Sequence, residues 1–330
     1  MSVTRQLVLA QRPKGLVNES TCRLVEIPSP APGPEEALVR VSHLSIDPTI
    51  RTWMDDAPGY LPAIELGGVI RSGGIGEVIE SNNDAMPVGS KVFGMTGWQD
   101  HCIADRGFQV IPEGVDALLA INVMGVTGMT GYFGVVDVLK VQAGDVVVVS
   151  GAAGATGSIA GQVAKSLGAR VIGIAGGPEK CALLTEQVDF DAAIDYRAGS
   201  VAQQIRELAP EGIDAYFDNV GGEILEACLA NLKIGARIAL CGAISTYNAT
   251  QAPLGPSNYA MLIVKRAIMQ GFLVLDYAPR FGEAQGALLE LLLAGKLWHA
   301  EHLVSGLEAA PEALNLLFTG GNTGKLVVTL

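Results

Sequence analysis

Residues 145–157 read Asp-Val-Val-Val-Val-Ser-Gly-Ala-Ala-Gly-Ala-Thr-Gly, and no other stretch so narrows what this chain can fold into. A β-branched run stops at Ser150. A Gly-rich turn follows, and an apolar-periodic segment (Ile159, Val163, Ala164, Leu167) then runs to Gly168. The pattern predicts a buried strand, a tight turn and an amphipathic helix. That geometry sets a pyrophosphate on a helix N-terminus, where backbone N–H groups converge. The glycines have separate tasks. Gly154 lets backbone approach the phosphates, and Gly157 lets the helix pack close to the strand. Gly151, Ala152, Ala155 and Thr156 complete the turn. Ala152 stands where the usual G-x-G-x-x-G has its first glycine, so an ordinary βα turn remains an alternative. A second strand at Ala169–Ile174 adds the βαβ context that favours a dinucleotide.

The end of that second strand bears on which dinucleotide. An NAD site places a carboxylate there for the ribose 2′-hydroxyl. Here the strand ends Ala175-Gly176-Gly177, with no acid. Small residues leave room for a phosphate, and Lys180 follows to neutralise it, which argues for NADP(H). The alternative for Lys180 is a solvated lysine in the first turn of a helix starting near Pro178.

A chain of 330 residues suits two domains, and 49% hydrophobic against 17% charged residues leaves a large core available. The 22 Lys plus Arg against 34 Asp plus Glu give a net charge of −12, which makes nucleic acid and anionic membranes poor partners. Five scattered cysteines (Cys22, Cys102, Cys181, Cys228, Cys241) form no C-x-x-C, as expected of a cytoplasmic protein with free thiols. The N-terminus lacks the apolar core of a secretory signal, and no apolar run reaches the roughly 18 residues of a membrane span.

The pattern changes near residue 120. Before it, short alternating segments (Gln6–Leu9, Ala37–Ser45, Gly76–Ser81, Lys91–Phe93, Gln109–Ile111) and the run Pro28, Pro30, Pro32, Pro34 predict a compact β domain. From Asn122 onward strands near 145–150, 169–174, 192–195, 213–217, 235–240 and 268–274 alternate with helices. The fold class expected is α/β, a doubly wound parallel sheet. After about 295 the segments, including Lys325–Leu330, look β-like again. We therefore expect 1–121 with 296–330 as one domain and 122–295 as the dinucleotide domain.

Several motifs run through the chain in a shared order. They are Ser-Ile-Asp-Pro-Thr-Ile-Arg (45–51), Gly-Gly-Ile-Gly-Glu-Val-Ile-Glu-Ser (73–81), Gly-Trp (97–98), Thr-Gly-Tyr-Phe-Gly (130–134) and the turn at 151–157. Then come Gly-Ile-Ala-Gly-Gly-Pro-Glu-Lys (173–180), Asp-Asn-Val-Gly-Gly (218–222), Cys-Gly-Ala-Ile-Ser-Thr-Tyr-Asn (241–248), Gln-Gly-Phe-Leu-Val (270–274) and Asn-Thr-Gly-Lys (322–325). On these the chain resembles the zinc-independent medium-chain dehydrogenase/reductases, in the prostaglandin reductase and alkenal/enone reductase branch. The resemblance implies a Rossmann domain plus a GroES-like β-rich catalytic domain. It implies Lys180 and Tyr196 at the 2′-phosphate, with Thr130, Asn219, Cys241, Ile244, Ser245, Tyr247, Phe272, Val274 and Asn322 lining the rest of the cofactor. Three departures fall around the substrate pocket. Thr49 and Ile50 replace the family's Tyr-Met. Gly125-Val126-Thr127-Gly128 replaces Gly-Met-Pro/Thr-Gly. Val264 stands where several relatives have tyrosine.

Zinc alcohol dehydrogenases share this fold, but His43, His101, His299 and His302 have no convincing cysteine partners, so no metal is expected. Without zinc, reduction of an activated C=C is easier than alcohol oxidation. Hydride goes to the β-carbon, and the carbonyl oxygen needs only hydrogen-bond donors as enolate charge develops. Candidate donors are Tyr247, Tyr259 and Tyr60. Tyr259 closes the Pro/Gly-containing loop 249–258, a length suited to a lid. Each tyrosine could instead be packed, with its hydroxyl on a backbone group. No tyrosine is followed four residues later by lysine, which argues against the short-chain class. The expected function is NADPH-dependent reduction of enones and enals; a quinone reductase or a non-catalytic NADPH-binding protein are the alternatives. Apolar strands 235–240 and 268–274 should lie near a sheet edge and pair across a twofold axis, giving a homodimer with an interface near 236–275.

NADPH should bind at least about tenfold more tightly than NADH, about 1.4 kcal/mol. Lys180→Ala should weaken NADPH and leave NADH nearly unchanged. Fluorescence titration checks both, and equal affinities in the wild type would sink the assignment.

Overall fold

The computed structural model describes residues 3–330. They separate into two compact units, one of residues up to 121 with 247–250 and 301–330, the other of 122–246 with 251–300.

The first unit opens with β1 (Val3–Leu9), β2 (Cys22–Pro28), β3 (Ala37–Ile46), a short α1 (Thr49–Trp53), β4 (Gly74–Ser81), β5 (Lys91–Gly94), β6 (His101–Ala104), β7 (Gln109–Val110) and α2 (Ala117–Ile121). Strands β2 and β6 give weak sequence signals. β2 runs into Pro28 and exposes alternate residues, and β6 has four residues.

The second unit contains α3 (Val126–Phe133), a π-helical turn (Gly134–Val138), β8 (Val146–Ser150), α4 (Ala155–Ser166), β9 (Arg170–Ala175), α5 (Pro178–Glu186), β10 (Ala192–Asp195), α6 (Val201–Leu208), β11 (Ile213–Asp218), α7 (Gly222–Leu229), β12 (Leu232–Leu240), α8 (Met261–Lys265), β13 (Ile268–Gly271) and α9 (Phe281–Leu293). Its sheet has the order β10-β9-β8-β11-β12-β13, parallel at every pair. This is the doubly wound arrangement expected from the sequence. Strand β8 is buried from Val147 to Ser150, as a central parallel strand covered on both faces must be. The order reverses between β8 and β11, so a crevice for ligands opens at the carboxyl ends of those two strands. β13 stops at Gly271, three residues short of the expected 274, and a 3₁₀ stretch (Val274–Arg280) follows.

The tail forms β14 (Glu301–Ser305), α10 (Ala310–Thr319) and β15 (Lys325–Thr329). β15 pairs antiparallel with β3, Leu326 opposite Ile46, and so joins the first unit's larger sheet. The sequence-based expectation of a β-like tail is corrected by α10. Its signals were present: Pro311 in the first turn, Ala310, Ala313 and Leu314 at helical spacing on the buried side, and Gly320 in the left-handed conformation at the end. Among the described residues no helix is long and apolar enough to cross a membrane.

Candidate cofactor site

The turn after β8 is held shut by backbone. Gly157 faces it so closely that a Cβ there would lie 2.4 Å from the Gly151 carbonyl oxygen and 3.0 Å from the Ala152 Cα. A side chain at 157 would push α4 off the strand. Gly154 precedes α4 in extended conformation, and no side chain caps the helix. The N–H groups of its first turn therefore point out of the helix end with its positive dipole, as anion binding requires. Ala152 is fully buried.

A buried carboxylate that the sequence reading did not single out organises the adjacent strand ends. Asp218 Oδ1 accepts from the Tyr216 hydroxyl (2.6 Å), the Ser150 hydroxyl (3.2 Å), and the N–H groups of Val220 and Gly221 (2.9 Å each). Asp218 is 1% exposed. Ser150 Oγ in turn accepts from the Asn219 N–H, and Asn219 Nδ2 donates to the Ser150 carbonyl at 2.7 Å. These bonds clip β8 to β11 at the switch point. The next segment is laid on top: the N–H groups of Cys241 and Gly242 donate to the Asp218 carbonyl, Ile244 N–H to the Asn219 carbonyl, and Ser245 Oγ to the Val220 carbonyl at 2.6 Å. Asn219, Cys241, Ile244 and Ser245 are thereby brought together with Gly151. Burial pushes the Cys241 thiol up to about 12, with the Asp218 charge adding to it, which disfavours a thiolate there.

The far end of the cradle lies at β9 and β10. A Cβ on Gly176 would lie 2.7 Å from the Tyr196 hydroxyl, so a side chain there would displace that ring. Lys180, on α5, is half-buried, and its ammonium titrates below the usual lysine range, first through burial and second through the charge of Arg197. The reading of a strand end without an acid holds for β9 itself. The neighbouring strand supplies one: Asp195 pairs in register with Ala175. Its Oδ1 accepts from the Gly177 and Arg197 N–H groups, at 2.8 and 2.9 Å, and these bonds hold its carboxyl below the usual range.

Other expected residues are placed as follows. Phe272 meets Phe217 edge-on, with centroids 6.2 Å apart. Val274 packs among Met129, Phe133 and Ala284. Thr130 donates to its own helix at the Val126 carbonyl. Tyr259 is exposed just before α8, and the preceding loop is tied to α7 by Ser257 N–H and Asn258 Nδ2, which donate to Glu226. Tyr60, Tyr247 and Asn322 belong to the first unit. Tyr60 meets the Trp53 ring edge-on, and Asn322 Nδ2 donates to the Gly324 carbonyl. The 45–51 motif is an internal brace of that unit. Buried Lys325 donates to the Ile46 carbonyl and to Asp47, and buried Arg51 reaches the Gly15 carbonyl and Asp55. Among the described residues no group of three or more His, Cys, Asp or Glu is arranged to hold a metal ion.

Residues 5–111 match the family described as N-terminal domain of oxidoreductase, and residues 155–292 the one described as zinc-binding dehydrogenase. The chain is 38% identical over 332 residues to the NADPH-dependent curcumin reductase of Escherichia coli (strain K12), covering 98% of this chain and 96% of that protein. It is 37% identical over 332 residues to the NADP(+)-dependent 2-alkenal reductase of Nicotiana tabacum, with the same coverage. The crystal structure of CurA from Vibrio vulnificus in complex with NADPH superposes with a TM-score of 0.94 at 42% identity, covering 98% of each chain.

Asp218→Ala should cost roughly 3 kcal/mol of stability, because four donors, three of them buried, lose this acceptor, and should weaken dinucleotide binding by loosening Asn219. Chemical denaturation and cofactor titration of the same variant measure both. Full stability would show that the clip is dispensable.

Proposed function

The chain belongs to the zinc-independent medium-chain dehydrogenase/reductases, in the prostaglandin reductase and alkenal/enone reductase branch, and from that membership we propose that it reduces the C=C bond of α,β-unsaturated aldehydes and ketones with NADPH. The observation that carries this reading is near-full-length similarity to a curcumin reductase and an alkenal reductase. The second unit's residues suit the cofactor. The glycine turn leaves a helix N-terminus for the pyrophosphate. The small residues 175–177 and the nearby basic side chains of Lys180 and Arg197 support a 2′-phosphate reading at the ends of β9 and β10.

When bound, NADPH supplies a hydride for the substrate's β-carbon. This chain's part is to hold the enone in reach and to donate hydrogen bonds to its carbonyl oxygen as enolate charge grows. Tyr247, Tyr259 and Tyr60 are the donors we assign to that oxygen, with a cofactor ribose hydroxyl as the remaining source. No cysteine thiolate is needed, in keeping with the raised pKa of Cys241.

Tyr247→Phe and Tyr259→Phe should separate the donors: at least one should lower enone turnover by roughly tenfold or more. Full rates in both would move the donor elsewhere. The assay is NADPH consumption across a panel of enals, enones and quinones. Turnover confined to quinones would replace the proposed reaction, and no turnover at all would leave a binding protein.

We also propose a homodimer built on β13. This strand ends the sheet, and Ile263, Val264 and Ile268 on or beside it are exposed by 76%, 58% and 63%. A second copy would cover that surface and pair the open edge. Light scattering at micromolar concentration should give twice the chain mass; a single-chain mass with no concentration dependence would rule it out.

A further inference from the structure

Asp195 occupies a position where a carboxylate would be expected to select against a phosphate. It stands in register with Ala175, at the strand ends where a dinucleotide's adenosine ribose is bound in this fold. Its Oδ1 is engaged by two backbone donors, Gly177 N–H and Arg197 N–H. The acid thus acts as a brace for the turn that follows β10. That brace fixes the backbone of Arg197.

The Arg197 side chain lies over the Tyr196 ring, its guanidinium carbon 5.6 Å from the centroid. One terminal nitrogen is 4.0 Å from where a Cβ on Gly177 would be. Arg197 is exposed, and its guanidinium makes no salt bridge among the described residues. Lys180 follows Gly177 by three residues at the start of α5, and the Arg197 charge contributes, after burial, to lowering its titration. Two cations side by side repel one another, and the chain as a whole carries −12. At this turn the two basic side chains outnumber the single charge of Asp195, so the local balance is opposite to the global one. A dianion between them turns that repulsion into attraction on both sides.

We propose that Arg197 is a second specificity-determining residue, which reads the 2′-phosphomonoester of the dinucleotide together with Lys180 and is positioned for it by Asp195. The proposal rests on the NADPH reading above and deepens it. The two side chains differ in what they offer. Lys180 presents a point charge from a half-buried site, whereas Arg197 presents a planar fork that can bond two phosphate oxygens at once. Its stacking on Tyr196 limits the conformations the fork can take and lowers the entropy lost on binding.

The test compares dissociation constants of NADPH, NADH and adenosine 2′-monophosphate for the wild type, Arg197→Ala, Arg197→Lys and Lys180→Ala. Arg197 is at the surface, so the variants should fold, and thermal melts check that they do. Arg197→Ala should weaken NADPH and adenosine 2′-monophosphate about tenfold and leave NADH unchanged. Arg197→Lys should recover only part of that loss, because the fork is gone. Unchanged NADPH binding in Arg197→Ala, with Lys180→Ala weakened, would overturn the proposal and leave the NADPH reading intact. Equal losses for NADPH and NADH would reduce Arg197 to a structural role and also overturn it. A wild type that does not prefer NADPH would fail the cofactor reading itself, and the role of Arg197 with it.

Discussion

The carboxyl ends of the central strands in the second unit hang on one carboxylate oxygen. Asp218 Oδ1 gathers two hydroxyls and two backbone N–H groups in a nearly solvent-free position. A parallel sheet leaves its carboxyl ends without a common partner, because each strand departs there into its own loop. At the switch point the loops diverge to opposite faces, and nothing in the backbone ladder joins them. A buried anion can join them, since it accepts from several donors and its desolvation cost is offset only when they are all in place. Ser150 from β8 and Tyr216 from β11 meet on Asp218, and Asn219 is locked to Ser150 as a consequence. The 241–246 segment then rests on the same loop.

The same use of buried charge recurs in the first unit. Lys325 and Arg51 are both nearly inaccessible, and each ties chain segments that are distant in sequence. Lys325 anchors the C-terminal strand to the end of β3. Arg51 fastens α1 to the loop at Pro13 and Gly15. The 45–51 and 322–325 motifs, on which part of the resemblance rests, therefore hold distant segments of the first unit together. Thr49 sits at the start of α1 beside this brace, and its loss of an aromatic ring leaves the brace untouched.

What was legible from sequence was local. The turn at 151–157 and the small residues at 175–177 are read within a dozen positions, because strand propensity, helix periodicity and glycine geometry act at short range. The alternation of strands and helices from 146 to 271 was legible for the same reason, and right-handed crossovers then leave few ways to assemble it. Local signals also mislead: the tail reads as β-like although Pro311 and Gly320 mark α10, and the apolar run of β13 continues past Gly271 into a 3₁₀ stretch. Asp195, Arg197 and Asp218 could not be read in this way. Asp195 is 20 positions beyond Ala175, and Ser150 is 68 before Asp218.

The amino-acid sequence by itself determined the doubly wound sheet, the glycine turn and the family, since each depends on the order and spacing of neighbouring residues. Tertiary structure alone decided which carboxylate braces the ends of β9 and β10 and which one clips the switch point. Those outcomes depend on parallel register, which aligns strand ends that are remote in the chain and lets electrostatics act across a few ångströms between them.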